Sequence, residues 1–317
     1  MPDFPDSDHF LICEITSGVF ALIAKPEGTA GSNAVIIDLG DRTLVVDSFQ
    51  TLEAGDHLLA ATRALTGRSA AVLVNTHWHG DHTGSNQLFA GANIVSTPRT
   101  VELISANTTT DLATLETEIE AYLEFGRNAL EKAETKEERH RAEGLLRVVS
   151  ARQRDLPRFR LTLPNMMLDG EMHVHSRERA ALITTFGGGH TESDVFVRLP
   201  GEGVVVTGDL LWTEMHPRVD DGDPAAWARI LDRIGSLGPS IVVPGHGDVA
   251  GRTHLDTLAG YLRSLENLVA AAVAEAWDDE AIAALPAPAG SEKWEGRARF
   301  VGSLRALAGR RRSGGES

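Results

Sequence analysis

The sequence is poor in cysteine, in net positive charge and in long apolar runs, and each shortage excludes something. A single cysteine, Cys13, rules out an intrachain disulfide and any cysteine-rich zinc site, so a metal here must be held by imidazole and carboxylate. Basic residues number 30 against 45 acidic ones, a formal charge of -15 that opposes non-specific binding to nucleic acid or an anionic membrane. No stretch approaches the roughly 18 apolar residues of a membrane span. Residues 1–8 carry three acidic side chains and no basic one, so no secretory leader is read there and the cytoplasm is the expected location. What remains is a soluble globular composition, 42% apolar and 24% charged over 317 residues. That length fits one large domain, 1–317, with an embellishment. No repeat of fixed period is present.

The densest chemistry lies at His77-Trp-His79-Gly-Asp81-His82, directly after the apolar run Ala70 to Val74. Four ligand-type side chains fall within six residues, a spacing that chance would produce about once in a thousand chains of this composition. Such a motif at the end of a buried strand suits the carboxyl edge of an open α/β sheet.

Patterning along the chain supports that class. Residues 10–25 read as one or two strands broken near Ser17-Gly18, and 33–39 with 43–47 as a hairpin turning at Gly40-Asp41-Arg42. Asp47 ends that strand, either as a turn cap or as a hydrogen-bond partner for the metal loop. Residues 52–66 form a helix stopped by Gly67, Thr83 to Leu88 begin another, and Asn93 to Ser96 a short strand.

Residues 108–157 are Glu-rich and helical in period, a helical insertion. Asp111 caps a first helix with Leu112, Leu115, Ile119, Tyr122 and Leu123 as its stripe. Thr135 and Glu138 form a capping box for a second, whose face is Ala142, Leu145, Leu146 and Val149. The insertion is expected to wall the active-site cleft or to make a dimer contact.

Strands are expected again at 161–163, 172–175, 179–185, 195–199 and 204–206, in a second, mostly antiparallel sheet. Asp223-Pro224 opens a helix with Trp227, Ile230, Leu231 and Ile234 buried, followed by a strand at 240–243. Helices at about 255–276 and 292–307 follow, then a frayed tail from Arg310.

Three later positions repeat the opening design, in which a β-branched run ends, glycine appears and a ligand-type side chain follows: His190 after Gly187-Gly188-Gly189, Asp209 after Gly208, His246 after Gly245. Four such strand ends on one edge would gather His77, His79, Asp81, His82, His190, Asp209 and His246. The other histidines are set aside: His173 and His175 lack a following Asp-His, and His9, His57, His140, His216 and His254 stand alone, His216 being the one near enough to Asp209 to line a cleft. Trp78 and Trp212 flank ligands and shape a pocket or fill core. Cys13 is read as an inert core thiol.

Taken with Gly189-His190-Thr191, Thr207-Gly208-Asp209 and Pro244-Gly245-His246-Gly247, the motif resembles the metallo-β-lactamase superfamily over most of the chain. The resemblance implies an α/β fold, a four-layer αββα sandwich with metals at one edge. It assigns His77, His79 and His190 to a first metal, Asp81, His82 and His246 to a second, and Asp209 as the bridge, with Asp81 also serving as acid/base. Imidazole and carboxylate suit two zinc ions, and also iron or manganese. The implied function is hydrolysis of a small ester, thioester, lactone or amide by a metal-bound hydroxide. The small-molecule substrate is the partner, with a homodimer possible and neither nucleic acid nor membrane expected. True β-lactamases of this fold usually lack the bridging aspartate, many having cysteine there, so β-lactam hydrolysis is the weaker reading. The family's diiron flavoproteins carry glutamate at the position of His79 and need a flavin domain not found here. Mononuclear iron dioxygenases acting on small thiols share much of the motif and remain the alternative.

Overall fold

The computed structural model describes residues 6–314, so the expectation for the first eight residues lies largely outside the described part. The chain divides into two compact units, residues 1–181 and 182–317.

The first unit holds β1 (Phe10–Thr16), β2 (Val19–Ala24), β3 (Ala34–Asp38), β4 (Thr43–Val46), α1 (Leu52–Thr66), β5 (Ala70–Val74), α2 (Gly80–Thr83), β6 (Asn93–Ser96), α3 (Pro98–Asn107), α4 (Leu112–Glu131), α5 (Lys136–Asp155), β7 (Met166–Met167) and β8 (Glu171–His175). The first seven strands make one sheet in chain order. It is antiparallel from β1 to β4 and parallel from β4 to β7. The switch positions the site, because Val46 pairs with Val74 and both chains leave the sheet at the same edge. The fully buried β3 and β4 explain their unbroken apolar runs. Leu58 and Ala61 of α1 pack on Leu22, Ile36, Val45 and Leu73. Thr51 caps α1 at its start, and Gly67 ends it in the left-handed region at φ 69°.

Helices α4 and α5 pair through Ile119, Leu123 and Val149. The capping box at Thr135 and Glu138 forms as read. Two expected stripe members do not: Leu112 and Tyr122 are more than half exposed, since the real seam runs through Leu115, Ile119 and Leu123. Residues 161–163 form no strand. Side chains from the stretch after α2 bond the backbone there instead, Asn86 Nδ2 donating to Thr162 O and, just before the segment, Arg160 N donating to Gln87 Oε1. Pairing with β6 resumes only at Met166. Cys13 is exposed, a correction to its core assignment. Alternation on the edge strand β1 turns Phe10 and Ile12 inward and Cys13 outward.

The second unit begins inside β9 (Ala180–Gly187) and continues with β10 (Asp194–Leu199), β11 (Val204–Trp212), α6 (Pro224–Ser236), β12 (Ile241–His246), α7 (Arg252–Ala274), α8 (Asp279–Ala283) and α9 (Arg297–Gly314). The second sheet has the order β12-β11-β10-β9-β8. It is antiparallel from β9 to β11, with β12 parallel to β11. Both β11 and β12 run further than expected and carry candidate ligands within them. Helix α6 buries Trp227, Ile230, Leu231 and Ile234 as read, and Trp227 Nε1 donates to Leu210 O at 2.9 Å. The short α8, capped by Asp278, has no sequence expectation behind it. Helix α9 starts and ends later than expected, running through the tail to Gly314. There Arg310 donates to Val219 O and Gly222 O, and Arg311 and Arg312 pair with Glu266 and Asp279. Among the described residues no helix is long and apolar enough to cross a membrane.

His216, set beside Asp209 by sequence distance, is 1% exposed inside the second unit's core. It hydrogen-bonds Tyr261 Oη at 3.0 Å and packs on Trp294 and Phe300. Burial, with Arg297 and Arg299 nearby, pushes its imidazole down from 6.5 to about 4. The folded protein thus holds the ring neutral where the unfolded chain takes up a proton. Its contribution is complete above pH 6.5 and is lost as pH falls toward 4. Thermal melts of the parent and of His216→Gln at pH 7 and pH 5 check this: the parent should lose more melting temperature on acidification than the variant, and equal losses would remove His216 as the cause.

Candidate metal centre

In the first unit the candidate ligands leave β5 in order. Asn75 N donates to Val95 O and Asp47 N to Val74 O, which extends the sheet's hydrogen bonding one step past its last strand residues. The chain then passes Thr76 and His77 and folds into α2, where Gly84 N donates to Gly80 O at 2.8 Å. This compact turn presents four ligand-type side chains. His77 Nε2 and His79 Nδ1 are 3.0 Å apart, and the His77 and His82 rings are centred 4.2 Å apart. Asp81 Oδ2 stands 3.7 Å from His82 Nε2. His77 and His82 are buried, while His79 and Asp81 are half-buried.

Asp47 is the support of this half. One oxygen accepts from Thr76 N at 2.8 Å; the other accepts from Thr76 Oγ1 at 2.8 Å and His82 Nδ1 at 2.7 Å. Accepting from Nδ1 fixes the tautomer of His82 and leaves Nε2 as its lone-pair nitrogen. Burial pushes the Asp47 carboxyl up, and His82 and Thr76 oppose that shift. The backbone is strained to reach this position: Asp47 and Phe49 have φ of 62° and 71°, in the left-handed region that non-glycine residues rarely occupy. Of the two roles open to Asp47 in the sequence, hydrogen bonding to the ligand loop is the one observed.

A second layer of contacts lay beyond the sequence reading. His82 O accepts from Ser48 N at 2.9 Å and from Asn75 Nδ2 at 3.3 Å. Asn86 Oδ1 accepts from Ser48 Oγ at 2.9 Å and Asn75 Nδ2 at 3.0 Å. Ser32 Oγ donates to Asp81 O at 2.7 Å. The one available signal for Asn86 was its place four residues after His82.

In the second unit three candidates meet. Gly187 to Thr191 turn sharply, and Asp194 closes the turn by accepting from Gly189 N at 2.8 Å and from Thr191 N and Oγ1 at 3.1 and 2.8 Å. Burial pushes its carboxyl up. The register of β11 against β12 shifts on both sides of Gly208, whose φ is 52°, and this irregularity aims Asp209. Asp209 Oδ2 is 3.2 Å from His190 Nε2, and its Oδ1 is 3.4 Å from His246 Nε2. One carboxylate therefore turns each of its oxygens toward a different imidazole. A Cβ on Gly245 would lie 1.9 Å from Asp209 Oδ1, so glycine there makes room for the carboxylate. Trp212 stacks on His246 at 3.9 Å and 28°, and Trp227 meets the His190 ring edge-on at 5.1 Å. Trp212 is thus buried against a candidate ligand, whereas Trp78 is half-buried and packs on His79 at 4.5 Å.

The histidines set aside take no part. His173 and His175 are exposed, with His173 paired to Glu171. His9 bonds Thr29, His57 bonds Ser7, His254 accepts from Gly251 N, and His140 is exposed.

Each unit therefore carries a tight set of imidazole nitrogens and carboxylate oxygens without thiolate. That donor chemistry fits a divalent metal, commonly zinc. The class these observations define is a two-sheet α/β protein with a His/Asp metal centre. The Metallo-beta-lactamase superfamily model matches residues 28–246, more than half of the sequence, and the chain belongs to that superfamily.

A stretch of 70 residues is 37% identical to "Metallo-beta-lactamase type 2" of Bacteroides fragilis, covering 20% of this chain and 28% of that protein. The chain thus spans under a third of that relative's length in the match. Among solved structures, a metallo-beta-lactamase from Pontibacter korlensis has a TM-score of 0.58 at 18% identity, covering 80% of this chain and 99% of its own. The metallo-beta-lactamase FIM-1 from Pseudomonas aeruginosa, in its mono-zinc form, also scores 0.58 at 18% identity, covering 82% and 97%. At these identities the likeness is one of fold, and the α/β class read from the sequence is the one observed.

Asp47→Asn preserves the left-handed backbone, which asparagine tolerates, but removes the charge that His82 and Thr76 share. Zinc affinity, measured by competition with a chelator, should fall by roughly 10- to 100-fold. An unchanged affinity would show that Asp47 does not hold His82 for a metal.

Proposed function

We propose that the protein is a metal-dependent hydrolase of a small ester, thioester, lactone or amide, with two zinc ions. The carrying observation is Asp209, a buried carboxylate whose two oxygens face different imidazoles, a placement that would let it be shared by two ions. The superfamily membership supports the class of chemistry, and the FIM-1 structure, described as a mono-zinc form, supports zinc as the metal. By the assignment that the family resemblance implies, His77, His79 and His190 would hold one ion, Asp81, His82 and His246 the other, and Asp209 would be shared by both. Bound zinc would supply Lewis acidity and an activated water.

The chain's own residues do the rest. Asp47 fixes the tautomer of His82, Trp212 packs the ring of His246, and Gly245 leaves room for the carboxylate of Asp209. Asp81, whose side chain is 24% exposed, is the best-placed carboxylate on the first unit's turn to hold a proton for the leaving group. Aspartate at position 209, where many β-lactamases of this fold have cysteine, favours esters, thioesters and lactones over β-lactams.

Two measurements test the reading. Zinc-loaded protein should turn over at least one member of a panel of lactones, thioesters, esters, β-lactams and phosphodiesters, with the first three ahead of β-lactams. No turnover across the panel would count heavily against it. Metal analysis should find two zinc ions per chain, and Asp209→Ala should lose one of them. Two ions retained in that variant would end the bridging role, and one redox-active iron in the parent would favour the dioxygenase alternative.

A further inference from the structure

The helical insertion and the body of the first unit enclose a cavity of about 90 Å³. Leu52, Ile104, Leu115, Ile119, Leu156 and Phe159 give it apolar walls, and Gly80, Thr83 and Gly84 border it on one side. Those three positions share one face of α2 at i, i+3 and i+4, whereas Asp81 and His82 fall on the other. The cavity therefore lies behind the ligand-bearing turn rather than in front of it.

Its polar lining is uneven. Asp155 is already engaged, accepting from Leu52 N at 2.8 Å with Arg158 3.8 Å away. Arg152 and Arg160 also line the space, and neither is in an ion pair among the described residues. Other guanidiniums on the insertion or just after it are engaged: Arg127 with Glu120, Arg141 with Glu137, Arg154 with Glu53, Arg158 with Asp56, and Arg147 with Pro26 O. Arg152 has no side-chain hydrogen bond or ion pair among the described residues, and Arg160 spends Nη1 on Phe159 O at 2.6 Å, so both guanidiniums keep N–H donors beside one apolar cavity. The strap that carries Arg160 is itself pinned, Gln87 bonding both Arg158 O and Arg160 N. The wall is thus preformed.

We propose that this cavity is a second small-molecule site, and that its ligand is a small apolar carboxylate whose body fills the space while its anion meets Arg152 and Arg160. Apolar walls favour an apolar body over a strongly hydrated phosphate. The planar guanidinium matches a carboxylate in two parallel hydrogen bonds. The ligand sits on the opposite face of α2 from the metal-binding side chains, so it is an effector or anchoring group and is not the group that reacts. The site is independent of the hydrolytic reading.

Calorimetric titration of the full, zinc-loaded chain tests it, with pentanoate, whose chain suits a cavity of about 90 Å³, as probe and neutral pentan-1-ol as control. The parent should bind the carboxylate roughly tenfold or more tightly than the alcohol. Arg152→Gln with Arg160→Gln, both exposed positions, should erase that preference. Leu161→Trp, which fills the cavity from a half-buried lining position, should abolish binding of both probes, its fold checked by circular dichroism. If Leu161→Trp does not fold, the double arginine variant decides the matter alone. Absence of binding to the parent overturns the proposal. So does binding that survives the arginine changes, or that persists in a folded Leu161→Trp, because the carboxylate would then be sitting on the metal instead.

Discussion

His82 is wholly buried, and a buried imidazole must have partners for its nitrogens. Asp47 meets one of them at 2.7 Å, and much of the first unit is arranged so that it can. Strands β4 and β5 run parallel in a register that brings Asp47 beside Thr76. The loop after β4 accepts two left-handed residues to keep the carboxylate there. Strain of this kind, on the order of 1–3 kcal/mol per residue, persists only where the surroundings hold it. Here they include Phe49, fully buried and stacked on Phe10, and the contacts of Ser48 with His82 and Asn86.

The second unit solves a related problem differently. Its candidate ligands do not share one short turn; they come from a tight loop, a disrupted strand and a strand end. Small residues make the geometry possible. Gly208 permits the irregularity that aims Asp209, Gly245 leaves space for the carboxylate, and Gly222 lies so close to Gly189 O that a Cβ would sit 2.0 Å from it. Large aromatic rings then immobilise the imidazoles, Trp212 against His246 and Trp227 against His190. The cost of orienting these rings is met by packing that the α6 core requires in any case.

The helical insertion adds the third element. Its inner seam is narrow, with Ile119, Leu123 and Val149 as its buried centre. Contacts to the body come through polar pins: Asp155 to the start of α1, Arg154 and Arg158 to Glu53 and Asp56, and Arg147 to Pro26 O. A wall attached this way encloses space behind α2 instead of filling it, and the side chains around that space are where selectivity for a ligand would reside.

How much of this was legible in the sequence differs by kind of feature. The strands and long helices followed from apolar period, caps and turn residues, because those signals are local. Asp111, Thr135 and Asp223 cap the helices assigned to them. All seven candidate ligands were named from strand-end patterns and motif resemblance. Local pattern failed where a distant partner decided the outcome. Residues 161–163 look like a strand until Asn86 takes the carbonyl of Thr162 and Gln87 the amide of Arg160 just before them. Arg310 to Arg312 look like a frayed end until they find acceptors more than 30 residues away. Tyr122 fits a helical period but faces outward, and Cys13 fits an apolar strand yet lies on its exposed side. By itself the sequence determined which residues have metal-binding chemistry and where most of the strands and long helices lie, since composition and periodicity carry that information. Only the tertiary structure decided that Asp47 serves His82, that Asp209 faces two imidazoles and that His216 is core, because each depends on side chains brought together across 19 to 45 positions of chain.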